Sequence, residues 1–174
     1  MMRDSMSVMK IEAEEVNGRY VKLAAFIDSG KMDEVVNDMY NKCLLEMQCC
    51  TMFDYIRLLD TRIQRMQGSD SAEVRKMNFG MAIMALKAGF PIRRSGWNGK
   101  GLMVFKQIPA HIESDVIPKM QSLPQSAKDL ILKDKGFIDY TSQCLIYNEN
   151  TGRADSWVPS ISDMFADDWE IVLP

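Results

Sequence analysis

Hydrophobic residues recur at helical spacing through the first third of the chain. Val16, Tyr20, Leu23 and Ile27 share one face of a predicted helix. Asp28-Ser29-Gly30 supplies its stop, with glycine suited to the left-handed position after a helix. A second run sets Val36, Met39, Cys43 and Met47 on one face. It continues with Met52, Ile56, Leu59, Ile63 and Met66 on a slightly rotated one. Read as one helix from Asp33 to Met66, it spans about 50 Å, against roughly 30 Å for the first helix. The shorter helix cannot cover the longer one. Either the long helix breaks near Cys49–Thr51, or its excess face packs on another domain or subunit. Packing or self-association is the expectation, and a simple hairpin is the alternative. Gln67-Gly68-Ser69-Asp70-Ser71 loses the apolar period and reads as a linker. The predicted organisation is a helical hairpin over 1–67, a linker over 68–76 and a second domain over 77–174.

The second domain changes texture. All six prolines lie after residue 90, and proline is excluded from helix interiors. Asn78 can cap a short helix whose Phe79, Ala82, Ile83 and Leu86 form a buried face, ended by Gly89. Pro91–Ser95 and Leu102–Lys106 read as strands. Asn98-Gly99 between them is a hairpin-turn signal, because both residues accept positive φ. Residues 109–135 hold Pro109, Pro118, Pro124 and one amphipathic run, Ala127–Lys133, and read as an inserted excursion. Gly136–Tyr140, Cys144–Asn148, Asp155–Val158 and Trp169–Leu173 are further strand candidates. Asn148–Gly152 carries turn chemistry. Ser160–Asp163 can open a short helix. The predicted fold class is α+β: a small antiparallel-sheet domain with short helices, preceded by the helical hairpin.

Composition narrows the classes of function. The 174 residues carry 21 Lys+Arg against 24 Asp+Glu, net −3, which does not suit a basic nucleic-acid binder. No run approaches the ~18 apolar residues of a membrane span. The N-terminus leads into no apolar stretch, so no secretory signal is expected. Cys43, Cys49, Cys50 and Cys144 contain no CxxC pair, so reduced thiols are expected rather than a zinc site or disulfides. The chain has a single histidine, His111. A Ser-His-Asp triad or a His-based metal cage would therefore have to use that one residue or borrow from another subunit. His111 sits in a proline-bounded loop and reads as a surface residue.

Charge is distributed less evenly than its total suggests. Lys87 to Lys106 contains five basic residues (Lys87, Arg93, Arg94, Lys100, Lys106) and no acidic one. Trp97 lies among them. Guanidinium forks bind phosphate, and an indole offers a stacking face. A tryptophan in a small sheet serves equally as core, and basic strand residues often face solvent. Gly96, Gly99 and Gly101 flank Lys100 without Walker spacing. They suit turn geometry, and their amides can also form an anion nest. Asp163 to Glu170 holds four carboxylates. These can pair with the basic stretch, accept hydrogen bonds from ribose hydroxyls, bind a metal or act in acid–base chemistry.

Three segments together resemble a known family. They are Met77-Asn78-Phe79-Gly80 with Ala82, Ala85-Leu86-Lys87 and Gly89; Arg94 with Gly96-Trp97-Asn98-Gly99-Lys100-Gly101; and Trp157, Pro159-Ser160, Asp163, Ala166 and Asp168-Trp169-Glu170-Ile171. Over residues 77–174 the chain is similar to the Thoeris anti-defence 2 family of small phage proteins. The excursion at 109–135 is longer than the shortest members of that family need. Residues 10–67 are similar to helical segments of gut-phage proteins.

The resemblance implies a sponge rather than an enzyme. Such a protein binds and sequesters cyclic nucleotide signals of bacterial immunity, such as cyclic ADP-ribose isomers and cyclic dinucleotides. It implies a homo-oligomer, dimer or tetramer, in the host bacterial cytoplasm, with no cofactor, metal, nucleic-acid or membrane partner. On this reading Arg93, Arg94 and Lys100 meet phosphate, and Trp97 or Trp157 stacks on a base. Asn98, Ser160 and Asp163 hydrogen-bond base or ribose edges. Two other classes stay open. One is a metal-dependent nucleotide-cleaving enzyme using Asp163, Asp167 and Asp168. The other is a nucleic-acid or protein-binding module using the basic stretch.

Overall fold

The computed structural model describes residues 2–173 and divides into two compact units, one running to Met77 and the other beginning at Asn78. The first unit holds helix α1 (Met2–Asp28), the short α2 (Lys31–Val35) and α3 (Met39–Met66). Gly30, at φ 73°, ends the first helix as its position requires. The interruption of the second helical run falls at residues 36–38, where Asp38 caps α3 by accepting the Tyr40 N–H at 3.0 Å. It does not fall at Cys49–Thr51, which lies inside α3.

This changes the length argument. The two long helices have 27 and 28 residues, about 40 Å each. Neither has an end that its partner cannot reach, so the mismatch expected from sequence is absent. They run antiparallel, with Met9, Ala13, Leu59 and Ile63 forming the buried cluster and Tyr20 packed on Phe53. The rotated half of the long stripe faces this seam. The earlier half does not, since Met39 and Met47 are exposed. All four cysteines are free thiols.

Residues read as a linker are fastened to α3. Arg65 donates to the Asp70 and Ala72 carbonyls, both at 2.9 Å. Arg57 donates to the Arg75 and Lys76 carbonyls.

The second unit is an antiparallel α+β domain. Its strands are β1 (Ile92–Arg94), β2 (Leu102–Lys106), β3 (Ala110–Ile112), β4 (Ile138–Tyr140), β5 (Cys144–Asn148), β6 (Arg153–Trp157) and β7 (Trp169–Ile171). Five form one sheet in the order β6-β5-β2-β1-β7. Helix α4 (Phe79–Lys87), capped by the Asn78 side chain at Met81 N–H, lies over β1, β2 and β7. Met81, Ala82, Ala85 and Leu86 from the helix are buried, as are Ile92, Val104 and Trp169 from the strands. The excursion is more ordered than the prolines suggested. β3 pairs with β4 as a separate ribbon, Ile117 is buried in a 3-10 turn, and α5 (Gln125–Lys133) supplies the amphipathic run. Helix α6 (Ile161–Met164) precedes β7.

Leu59 is 1% exposed and sits in a seam of four buried residues. Leu59→Ala is expected to destabilise the hairpin by about 2–5 kcal/mol. Urea unfolding of the helical circular-dichroism signal measures it. A change below ~1 kcal/mol would show that the seam does not hold the hairpin together.

Candidate functional site

The site begins with the pairing of β1 and β7. Their register sets Arg93 opposite Glu170 and Arg94 opposite Trp169. The basic strand and the acidic terminal run are thus neighbours. Arg93 Nε meets Glu170 Oε1 at 2.6 Å. Arg94 reaches two carboxylates, with Nε to Asp168 Oδ1 at 2.7 Å and Nη1 to Asp163 Oδ1 at 3.0 Å.

Asp163 is the centre of this arrangement. Ser160 opens α6 with a capping box: its hydroxyl accepts the Asp163 N–H and donates to Oδ2 at 2.7 Å. The Ser160 N–H donates to Oδ2 at 2.9 Å. Trp97 Nε1 donates to Oδ1 at 3.1 Å, beside Arg94. The Asp163 carbonyl accepts the indole N–H of Trp169 at 3.0 Å. Burial pushes this carboxyl up, but the bonds from Ser160, Arg94 and Trp97 outweigh it and hold the pKa at about 2. Trp169 is fully buried. Trp97 meets its ring edge-on at 5.4 Å, and Trp157 at 6.1 Å.

The segment between β1 and β2 is not the tight Asn-Gly turn expected from sequence. Seven residues, 95–101, separate the strands, and Gly101 at φ 77° is the residue of this loop in the left-handed region. Both ends of the loop are tied to distant residues, and this holds it open. Asp168 accepts the Gly96 N–H at 2.8 Å, and Asn150 donates to the Lys100 carbonyl at 2.6 Å. The loop borders a cleft of about 310 Å³ lined by Arg93, Arg94, Ser95, Trp97 and the Gly99–Leu102 segment, Lys100 included.

The structure therefore sorts the predicted residues. Arg93, Arg94, Trp97 and Lys100 come together at one cleft. Ser160 and Asp163 lie behind Arg94 and Trp97, with their hydrogen-bonding groups turned onto each other and onto those two residues. Asn98 is exposed on the loop. Trp157 lines a different cleft, of about 270 Å³, with Ile83, Lys106, Cys144 and Pro159. Among the described residues, Lys100 is the cation of the first cleft that no carboxylate holds. Arg93 and Arg94 are paired.

Glu170 and Asn150 were missed as site residues, and Asp168, named only for metal chemistry, instead holds Arg94 and the Gly96 N–H. The opposed basic and acidic runs were a signal for the pairing of Glu170 and Asp168 with the two arginines. Nothing in the sequence pointed to Asn150. Two of the three carboxylates proposed for metal chemistry are committed elsewhere, and Asp167 is exposed. Asp163 and Asp168 hold Arg94, and no three His, Cys, Asp or Glu among the described residues gather as a ligand set. His111 lies on the β3–β4 ribbon, against Asp139 at 2.6 Å, and that contact raises its pKa.

Fold and site define an antiparallel α+β domain with a loop-bordered, aromatic-walled cleft. Residues 77–172 match the family model of the Thoeris anti-defense 2-like domain. The chain is 31% identical over 102 residues to Thoeris anti-defense 2 of Bacillus phage SP01, covering 56% of this chain and 96% of that protein. The chain belongs to the Thoeris anti-defense 2-like family. Residues 4–65 match a second family model, Sequestin. No helix among the described residues is long and apolar enough to cross a membrane.

The low carboxyl pKa of Asp163 makes the second unit acid-sensitive. Its ionised form is favoured in the folded state, so its contribution is full above the ordinary value of 3.8 and is lost as pH falls through about 2. Asp163 is buried, and that shift corresponds to about 2 kcal/mol. Urea unfolding followed by tryptophan fluorescence between pH 7 and pH 2 should show this loss in the wild type. Asp163→Asn should be less stable at neutral pH and flatter in acid. Equal acid slopes in the two proteins would contradict the assignment.

Proposed function

We propose that this protein is a phage anti-defence protein that binds a cyclic nucleotide immune signal and holds it unchanged. The ligand class is the cyclic ADP-ribose isomers, with cyclic dinucleotides as further candidates. The observation that carries this reading is the cleft beside the 95–101 loop, where an uncommitted Lys100 stands next to the Trp97 indole. Lys100 suits a phosphate, and the indole suits a base. Asn98, exposed on the loop, is placed for ribose or base edges, whereas the Ser95, Gly96 and Trp97 amides are spent on Asp168 and Arg94. Membership of the Thoeris anti-defense 2-like family supports the anti-defence role.

The geometry shifts emphasis among the residues named from sequence. Arg94 acts through the wall of the cleft, since its guanidinium is already shared by Asp163 and Asp168. Phosphate recognition falls first to Lys100. The cleft, at about 310 Å³, lies at the small end of ligand sites, which span about 300–1,000 Å³. A ligand with bases, riboses and two phosphates extends past it. A second subunit at its mouth would complete the enclosure, which favours a homo-oligomer acting in the infected cell's cytoplasm.

The test is recovery of the ligand. Protein saturated with a cyclic ADP-ribose isomer is denatured and the supernatant analysed by mass spectrometry. Intact ligand after tight binding is expected, and a processed product would contradict sequestration. Residue roles separate by two variants. Lys100→Ala should weaken binding about 10- to 100-fold with an unchanged unfolding midpoint, as a charge-assisted bond implies. Arg94→Ala should lower the midpoint as well, because it strands two carboxylates. Normal binding by Lys100→Ala would move the site elsewhere.

A further inference from the structure

We propose that Asp168 and Asn150 are positioning residues that clamp the two ends of the 95–101 loop and hold Trp97 and Lys100 ready for ligand. The inference rests on the reading of this cleft as the binding site.

At the start of the loop, Asp168 uses both backbone and side chain. Its carbonyl accepts the Ser95 N–H at 3.0 Å and the Ser95 hydroxyl at 3.3 Å. Its Oδ2 accepts the Gly96 N–H at 2.8 Å, while Oδ1 is fixed by Arg94 Nε at 2.7 Å. The approach is so close that a Cβ on residue 96 would lie 2.5 Å from Oδ2, so any side chain there would push the carboxylate off the Gly96 N–H and Arg94. At the far end, Asn150 Nδ2 donates to the Lys100 carbonyl at 2.6 Å, and the Glu149 N–H donates to the Gly101 carbonyl at 2.8 Å. Asn150 is itself held, because its N–H donates to Asn148 Oδ1 at 2.9 Å in the β5–β6 turn. A Cβ on residue 101 would lie 2.8 Å from Asn150 Nδ2, at a backbone φ of +77°.

The loop is thus fixed from two places that lie far from it in sequence, the residue just before β7 and the β5–β6 turn. Neither Asp168 nor Asn150 lines the cleft. Their effect on a ligand passes through the loop, because a loop ordered during folding need not be ordered during binding.

The experiment uses the full chain with Asp168→Asn, Asp168→Ala, Asn150→Ala and Asp168→Ala combined with Asn150→Ala. Backbone amide exchange of residues 95–101 is measured without ligand, and affinity is measured by titration with a cyclic ADP-ribose isomer. Each alanine variant should speed exchange about tenfold within the loop while β2 and β5 keep wild-type protection. Each should weaken binding about three- to tenfold, and the double variant more. Asp168→Asn, which keeps an acceptor for Gly96, should fall between wild type and Asp168→Ala. Unchanged loop exchange overturns the clamp. Faster loop exchange with undiminished affinity overturns its role in binding, and faster exchange throughout the sheet reduces both residues to general supports of the fold. A wild-type chain that binds none of the isomers overturns the ligand reading and with it the clamp's role in binding. The exchange data then decide separately whether the two residues hold the loop.

Discussion

Four hydrogen bonds converge on the Asp163 carboxylate, from Arg94, from the Trp97 indole, and from the N–H and hydroxyl of Ser160. Each ties in a different part of the second unit. Arg94 belongs to the central sheet, Trp97 to the loop at the cleft, and Ser160 to the helix that leads into the last strand. The Asp163 carbonyl adds the indole of Trp169, the aromatic centre on which Trp97, Trp157 and Phe79 pack. A buried charge is costly alone, and here every donor around it removes part of that cost. The cleft, the loop and the C-terminal strand depend on this one ionised group.

On the proposed function, that dependence is what would let a mildly acidic protein offer a site for an anion. The basic stretch of β1 is largely neutralised by the acidic run that pairs with it. What remains is local: a lysine and an exposed asparagine on a fixed loop, and an indole. Such a site selects by shape and a small number of placed groups rather than by a broad positive field. Under the proposed function, such a site would take a small, rigid nucleotide rather than a nucleic-acid backbone.

The pattern of apolar residues made the architecture legible. The proline-free helical arm, the Asn78 cap, the central strands and the antiparallel α+β class all follow from periodicity and turn chemistry. The start of the long helix was misplaced, because Asp38 caps α3 in a stretch where the apolar spacing runs on regardless. β3 was hidden because Ala110-His111-Ile112 is too short to show alternation. The site was legible in its residues but not in their roles. Arg94, Ser160 and Asp163 were visible as polar groups near two tryptophans. Ser160 and Asp163 meet through a local capping box, but that Arg94 faces them depends on the β1–β7 register, a pairing across more than seventy positions that no local signal encodes. Asn150 left no trace because its part lies in one bond to a distant carbonyl. The Met39–Met47 stripe was legible as apolar yet stays exposed, since α1 covers the other face of α3.

The three indole N–H groups provide the most direct test of where ligand sits. In a nitrogen-15 spectrum titrated with a cyclic ADP-ribose isomer, the Trp97 indole and the 96–101 amides should shift. The Trp169 indole, the Asp163 N–H and the Trp157 indole should stay in place. Shifts concentrated at Trp157, or at Ser160 and Asp163 with a still loop, would contradict the account.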